Sequence, residues 1–425
     1  MNVRSVLVLA VGGVAAFFLH REQERGTFAS LDRGHVEWLL ANRKVPVLDS
    51  APQVVMVRLD DVDHAESERQ FEAWPPTPVE WSGLLEELRG YDPKVCVIPT
   101  SSAWAVETPD PALQKTCAAW PGWLLGVRAE GQGELMEESA PILEHVIGLV
   151  EAVPNFQSIP GSAVYKEYRS QMGEENRGIT QIDLSEAADA KPTFHAGIWR
   201  MPLLFRQGTR VIPSLPLFAV LRHLEIPLDQ VRVVLGESLT LGASGQVPID
   251  ASGVFEFHDH AINRADLPTL NLDTFKMSRE QIERFMGPGH ATSQVLHQLK
   301  GSLCWIGEDD LAARRFVRVD GSKVSLAEMQ ARAITALLSG RNVRLLAPWQ
   351  QGLTLAAVLL FGLWLIRCPR SRLLFATFLG VLLLGLASML VMQSSGQWMP
   401  VGPALIVLGI MALFCLCIRP AEKEV

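Results

Sequence analysis

Three uninterrupted apolar runs near the carboxyl end, at 352–366, 373–392 and 399–418, constrain this chain more than anything else in it. The hydrocarbon core of a bilayer takes about twenty apolar residues of helix. The second and third runs meet that length without a charge, and the first meets it when Trp349, Gln350 and Gln351 extend it. A soluble core does not account for three such runs in succession, because buried helices are shorter and broken by polar positions. Three membrane helices are therefore expected here. Arg367, Arg370 and Arg372 lie between the first two runs, whereas 393–398 has no basic residue. Lys and Arg collect on the cytoplasmic side. The arginine loop is thus expected inside, the uncharged loop outside, and residues 419–425 inside again. Trp349 and Trp398 fall at the expected outer boundaries, where indoles tend to sit.

At the other end Arg4 precedes an apolar run at 6–19. The run is short and also fits the apolar part of a secretory signal. Charged residues follow at 20–25, however, without a small-x-small cleavage site. An uncleaved anchor is expected, with Arg4 inside, so that everything from residue 20 to about 344 lies outside. This orientation agrees with the one drawn from the C-terminal loops. The resulting plan is an anchor at 1–20, an extracytoplasmic domain at 21–346, a three-helix membrane region at 347–418 and a cytoplasmic tail at 419–425. Four spans would also explain the mean hydropathy of +0.18. A net charge of −8 excludes a nucleic-acid footprint. The six cysteines do not form a disulfide framework. Cys96, Cys117 and Cys304 are external and odd in number, so one pair at most forms among them. Otherwise they serve as small buried hydrophobes.

Within the external region strand and helix patterns alternate. An amphipathic helix is expected at 27–43, a strand of branched residues at 54–59, a helix at 79–89, and strands at 94–98 and 122–127 with a helix at 111–118 between them. That order predicts an α/β domain with a mostly parallel or mixed sheet. Residues 153–193 read as a long loop. A helix follows at 213–224, with short strands at 231–235 and 238–241 and a buried strand at 302–307. Asp320 and Gly321 mark a hairpin. Ser325 with Glu328 marks a capped helix that Gly340 stops.

The chain resembles a known family, the bacterial CHASE sensory domain of type two (cyclase/histidine-kinase-associated sensing extracellular domain). The resemblance spans about 27–418 and includes the membrane plan. It is carried by the 54–59 strand with Asp60 and Asp61, Trp74 and Pro75 before a helix, Arg200 to Leu203, Pro213 to Leu215, Ile249 and Asp250, Trp305 to Gly307, and Leu337 to Arg341. It implies one anchor before an external sensory domain and three spans after it. Family members often have an aspartate where this chain has Ile98 to Thr100, and a histidine where it has Gln330. They commonly carry a cyclase or kinase after the last span. With seven residues beyond Ile418, the expectation here is sensing with the output in another chain.

No Gly-rich phosphate loop, serine nucleophile elbow or paired-cysteine zinc pattern is present. No catalytic residue and no cofactor are expected, and the chain is not expected to be an enzyme. His258 and His260 would share one face of a strand and are the best metal candidates, but a zinc site needs three or four ligands and the plain reading is a solvated loop. Ligands of open α/β sheets bind at the carboxyl ends of strands. Asp60 and Asp61 end one strand, and Glu308, Asp309 and Asp310 end another, so these acids would line one crevice if the strands are neighbours. The competing reading is turn residues and helix caps. Small residues that let membrane helices approach recur at Gly12 and Ala16, at Ala376, Gly380, Gly385 and Ser388, and at Gly402 and Gly409. They serve either the chain's own packing or a partner.

The sequence thus predicts a multi-pass protein of a bacterial inner membrane with its large domain outside. Its partners are expected to be the membrane, other membrane subunits or further copies of itself, and an unknown small ligand outside, with no nucleic acid. A scaffold subunit without sensing is the alternative, and an external metal-dependent hydrolase a remoter one.

Overall fold

The computed structural model describes residues 3–24, 27–42, 53–59, 78–98, 115–116, 122–128, 142–154, 177–180, 198–258, 267–276, 281, 284, 287, 290–309, 316–318, 321–340, 343–346, 348–395 and 397–418. The helices are α1 (Val3–Glu24), α2 (Ala29–Asn42), α3 (Pro78–Gly90), α4 (Leu215–His223), α5 (Ala291–Gln298), α6 (Leu326–Leu338), α7 (Pro348–Leu365), α8 (Arg370–Ser395) and α9 (Gly402–Ile418). The first strands are β1 (Val54–Leu59), β2 (Val95–Ile98), β3 (Trp123–Arg128), β4 (His145–Ile147) and β5 (Arg177–Thr180). Next come β6 (Ile198–Pro202), β7 (Leu204–Gln207), β8 (Arg210–Pro213), β9 (Val231–Val234), β10 (Ser238–Leu241), β11 (Gln246–Pro248) and β12 (Val254–His258). The last are β13 (Thr269–Asn271), β14 (Leu303–Glu308), β15 (Phe316–Val317), β16 (Lys323–Val324), β17 (Arg344–Leu345) and β18 (Gln397–Trp398). The chain forms two compact units. One comprises Met1–Val45, Phe194–Ile198 and Val343–Val425, the other Pro46–Thr193 and Trp199–Asn342.

The second unit is built on a six-stranded sheet in the order β13-β1-β14-β2-β3-β5, with every pairing parallel. Parallel strands need cover on both faces, which is why β1, β14 and β2 read as continuous branched and apolar runs. Side chains alternate between the faces. Val54, Met56, Val95, Val97, Leu303 and Trp305 pack with α4 and α6 residues such as Leu217, Val220, Ile334 and Leu337. Val55, Val57, Cys96, Ile98, Cys304 and Ile306 pack on the opposite face with Trp81, Leu85 and Leu88 of α3 and Leu296 of α5. The expected α/β architecture is present, with a parallel main sheet and a smaller mixed one. In the smaller sheet, β11-β10-β9-β4, β4 is parallel to β9 and the other pairs are antiparallel.

The local signals work as expected. Ser325 Oγ accepts from the Glu328 N–H at 3.1 Å, and Gly340 ends α6 with φ of 62°. β15 and β16 form the antiparallel hairpin marked by Asp320 and Gly321. The long loop expected at 153–193 does not hold throughout: β5 lies within it and pairs in parallel with β3. Its four residues, Arg-Gly-Ile-Thr, are too short and mixed to carry a period.

His223 is buried in α4, and its pKa is lowered to about 4. Burial is the main cause, Lys94 adds to it and Glu225 opposes it. The folded protein therefore resists a proton that the unfolded chain takes up near pH 6.5, so stability is full above that pH and falls as pH drops towards 4. This group alone is expected to cost about 2 kcal/mol between pH 7 and pH 5. Thermal melting of the purified protein followed by tryptophan fluorescence checks it: a His223→Gln variant loses this component of the pH dependence.

In the first unit α1, α7, α8 and α9 pack around Val8, Val358, Leu373, Val407, Leu408 and Met411. Among the described residues two stretches are long and apolar enough to cross a bilayer, Val6–Gln23 and Ser371–Ser394. Trp349–Leu365 and Gly402–Cys417 are apolar but shorter, so of the four expected spans two meet the length. α7 turns at Ile366 and Arg367 and α9 begins after Pro400, which trims both runs. Side chains of α8 such as Leu374, Phe375, Phe378 and Leu390 face outward. Trp349 is 67 % exposed, whereas Trp398 is fully buried with Val36, Leu39, Val343 and Met392. His35 of α2 and Ser388 of α8 share a hydrogen bond of 2.7 Å.

Candidate ligand site at the carboxyl edge of the sheet

The sheet order makes β1 and β14 neighbours, with Leu59 opposite Glu308. The two acidic strand ends are thereby brought to one edge, the edge where parallel α/β sheets bind ligands. Asp60, Asp61 and Asp310 lie outside the described residues, and of Glu308 only the backbone is described. Asp309 is in place. Its N–H extends the ladder to the Leu59 carbonyl at 2.7 Å, and it is 1 % exposed.

A carboxylate buried this deeply needs a partner. Arg58 supplies it: Nη1 donates to Asp309 Oδ2 at 3.3 Å, and Nη2 donates to Asn271 Oδ1 at 2.9 Å. The guanidinium thus bridges the ends of β13 and β14 from the strand between them. Register puts Arg58 opposite both Asn271 and Gly307. Gly307 keeps this spot narrow, since a Cβ on it would stand 2.2 Å from the Ala327 Cβ at the start of α6. Arg58 Nε is buried without an acceptor, and the side chain keeps 30 % of its surface. The geometry offers a fixed, partly open cation with spare donors, suited to orienting an acceptor-rich group. Sequence reasoning missed Arg58 and Asn271. The signal was an arginine inside an otherwise apolar strand.

A second polar cluster joins two residues on which the family resemblance rested. Arg200 is ion-paired with Asp250 and donates from Nε to Glu256 Oε1 at 3.1 Å. Asp250 Oδ1 accepts from the Ser252 and Val254 N–H groups at 2.8 and 2.9 Å, closing the turn before β12. These contacts are structural: they hold the chain reversal between β11 and β12. His258 ends β12 and is described by its backbone alone, and His260 lies outside the described residues. Among the described residues no three His, Cys, Asp or Glu side chains gather as metal ligands.

The small residues of the helical unit divide. A Cβ on Gly12 would meet Leu359 Cδ2 at 2.8 Å, one on Gly380 would meet Phe361 Cε1 at 2.6 Å, and one on Gly402 would meet Leu31 Cδ2 at 3.3 Å. Ala16, Ala376 and Ser388 are buried in the same unit. Gly385 and Gly409 have open space where a side chain would be.

A parallel sheet with a charged carboxyl edge, in a chain that also carries apolar helices of membrane length, defines a class: an α/β domain in one chain with apolar helices. The family model of the CHASE2 domain matches residues 6–365, and the chain belongs to that family, one of extracellular sensory domains. No curated protein and no solved structure matches the chain.

Proposed function

We propose that this chain is a multi-pass protein of a bacterial inner membrane whose external domain reads a small ligand and relays its state through helix contacts to a separate partner. All four apolar helices cross the bilayer in this reading. The observation that carries it is the pairing of β17 with β18. Arg344 is bonded in register to Gln397 and Leu345 to Trp398, so the entry to α7 and the exit from α8 share one side. That fits two antiparallel crossings, with Arg367 and Arg372 at the far turn where the cytoplasm is expected. The ligand is oriented at Arg58 and no catalysis is involved.

The partner contact is placed on the outward glycines. Gly385 sits among exposed Leu382, Leu383 and Leu386, and Gly409 is flanked by exposed Ile406 and Leu413. Such positions let a second helix approach closely. The native protein extracted in mild detergent is expected to be a homo-oligomer or to carry a stoichiometric membrane partner. Gly385→Leu should weaken that association about tenfold or more while the external domain melts unchanged, since forcing extra methylenes into a close backbone contact costs about 1–3 kcal/mol. A lone monomer contradicts the relay. An association that holds while no small ligand moves the melting temperature favours the scaffold reading instead.

A further inference from the structure

We infer that Cys96 and Cys304 form a disulfide that joins β2 to β14 at the centre of the parallel sheet. The two residues are 208 positions apart, yet the register sets them directly opposite each other, Cys304 against Cys96. Paired residues of parallel neighbours point to the same face, and both cysteines belong to the same apolar cluster with Val55, Val57, Ile98 and Ile306. Adjacent strands lie about 4.7–4.9 Å apart, which falls inside the roughly 4.4–6.8 Å between Cα atoms that a disulfide requires. The two side chains face each other, and both are free thiols in this structure. Both are wholly buried. Among the described residues no His, Asp or Glu joins them to make the three or four ligands of a metal site.

The placement of the domain outside the cytoplasm, proposed above, supplies the oxidising compartment in which such bonds persist. Bond formation takes two protons and two electrons from the thiols. An incoming disulfide oxidant accepts them by exchange through a mixed disulfide and leaves as its dithiol. Burial pushes the Cys96 thiol well up, and Cys304 adds to the shift. Exchange needs a thiolate and access, so the bond closes while the strands are still docking and is shielded afterwards. Its position has a consequence for assembly. β14 comes late in the chain but inserts between β1 and β2, which come early. Non-local parallel pairing of that kind is slow to form, and the bond fixes the inserted strand to its neighbour.

The test uses the full-length protein in native membranes, alkylated with N-ethylmaleimide in denaturant without reduction, then digested and read by mass spectrometry. The expected result is a peptide holding Cys96 joined to one holding Cys304, with four of the six cysteines alkylated. Reduction before alkylation should release the pair and raise the count to six. Recovery of Cys96 and Cys304 as alkylated thiols, or of Cys117 joined to either, overturns the inference. Sidedness is scored separately by labelling at position 395, so a failed disulfide and a failed topology are told apart.

Discussion

Gly307→Ala is expected to destabilise the α/β unit by about 3 kcal/mol, at the upper end of what overpacking costs. The added methyl would stand 2.2 Å from the Ala327 Cβ and 3.5 Å from its Cα. Carbon atoms in contact prefer about 3.5–4.0 Å, so the helix or the strand must retreat by more than an ångström. Neither is free to do so. α6 is held by Met329, Ala331, Ile334 and Leu337 in the core, and β14 is bonded on both sides, to β1 and β2. Ala327→Gly on its own should cost about 1 kcal/mol from helix propensity. Combined with Gly307→Ala it removes the clash, and the double variant should be more stable than Gly307→Ala alone. Thermal melting of the three variants decides this, and additive losses would contradict the contact.

Arg58→Ala is expected to cost about 3 kcal/mol, because it leaves the buried Asp309 carboxylate without its guanidinium. The partial exposure of Arg58 keeps the figure at the low end of the range for a broken buried pair. Adding Asp309→Ala should restore part of the loss, since the buried carboxylate that lost its guanidinium goes with it. A coupling energy under about 0.5 kcal/mol in this cycle would show that the two residues act independently. Arg58→Lys keeps the charge but not the fork that reaches both Asp309 and Asn271, and should fall between the parent and Arg58→Ala.

The parts of this fold that were legible in the sequence are those where burial is two-sided or a terminus is chemically marked. β1, β2 and β14 are covered on both faces, and their apolar runs follow directly from that. Ser325 and Gly340 bracket α6 because the first satisfies a free N–H and the second adopts a positive φ. β5, β13 and α5 were not legible. β13 has the exposed residues Thr269 and Asn271 around one buried Leu270, and α5 buries only Ser293 and Leu296, so neither carries a clear period. The carboxyl edge was half legible. Acidic strand ends pointed to it, but Arg58 and Asn271 are 213 positions apart and meet only through the register of β13 on β1.

The most direct measurement of the central claim is labelling with a membrane-impermeant maleimide on intact cells. Ser395→Cys lies at the end of α8 that leads to β18, and Ser371→Cys lies beside Arg370 and Arg372 at its start. An external sensory domain on four spans predicts that Ser395→Cys reacts above the parent background and that Ser371→Cys reacts only after the membrane is permeabilised. Labelling of Ser371→Cys in intact cells, with Ser395→Cys protected, would place the domain in the cytoplasm and contradict the account.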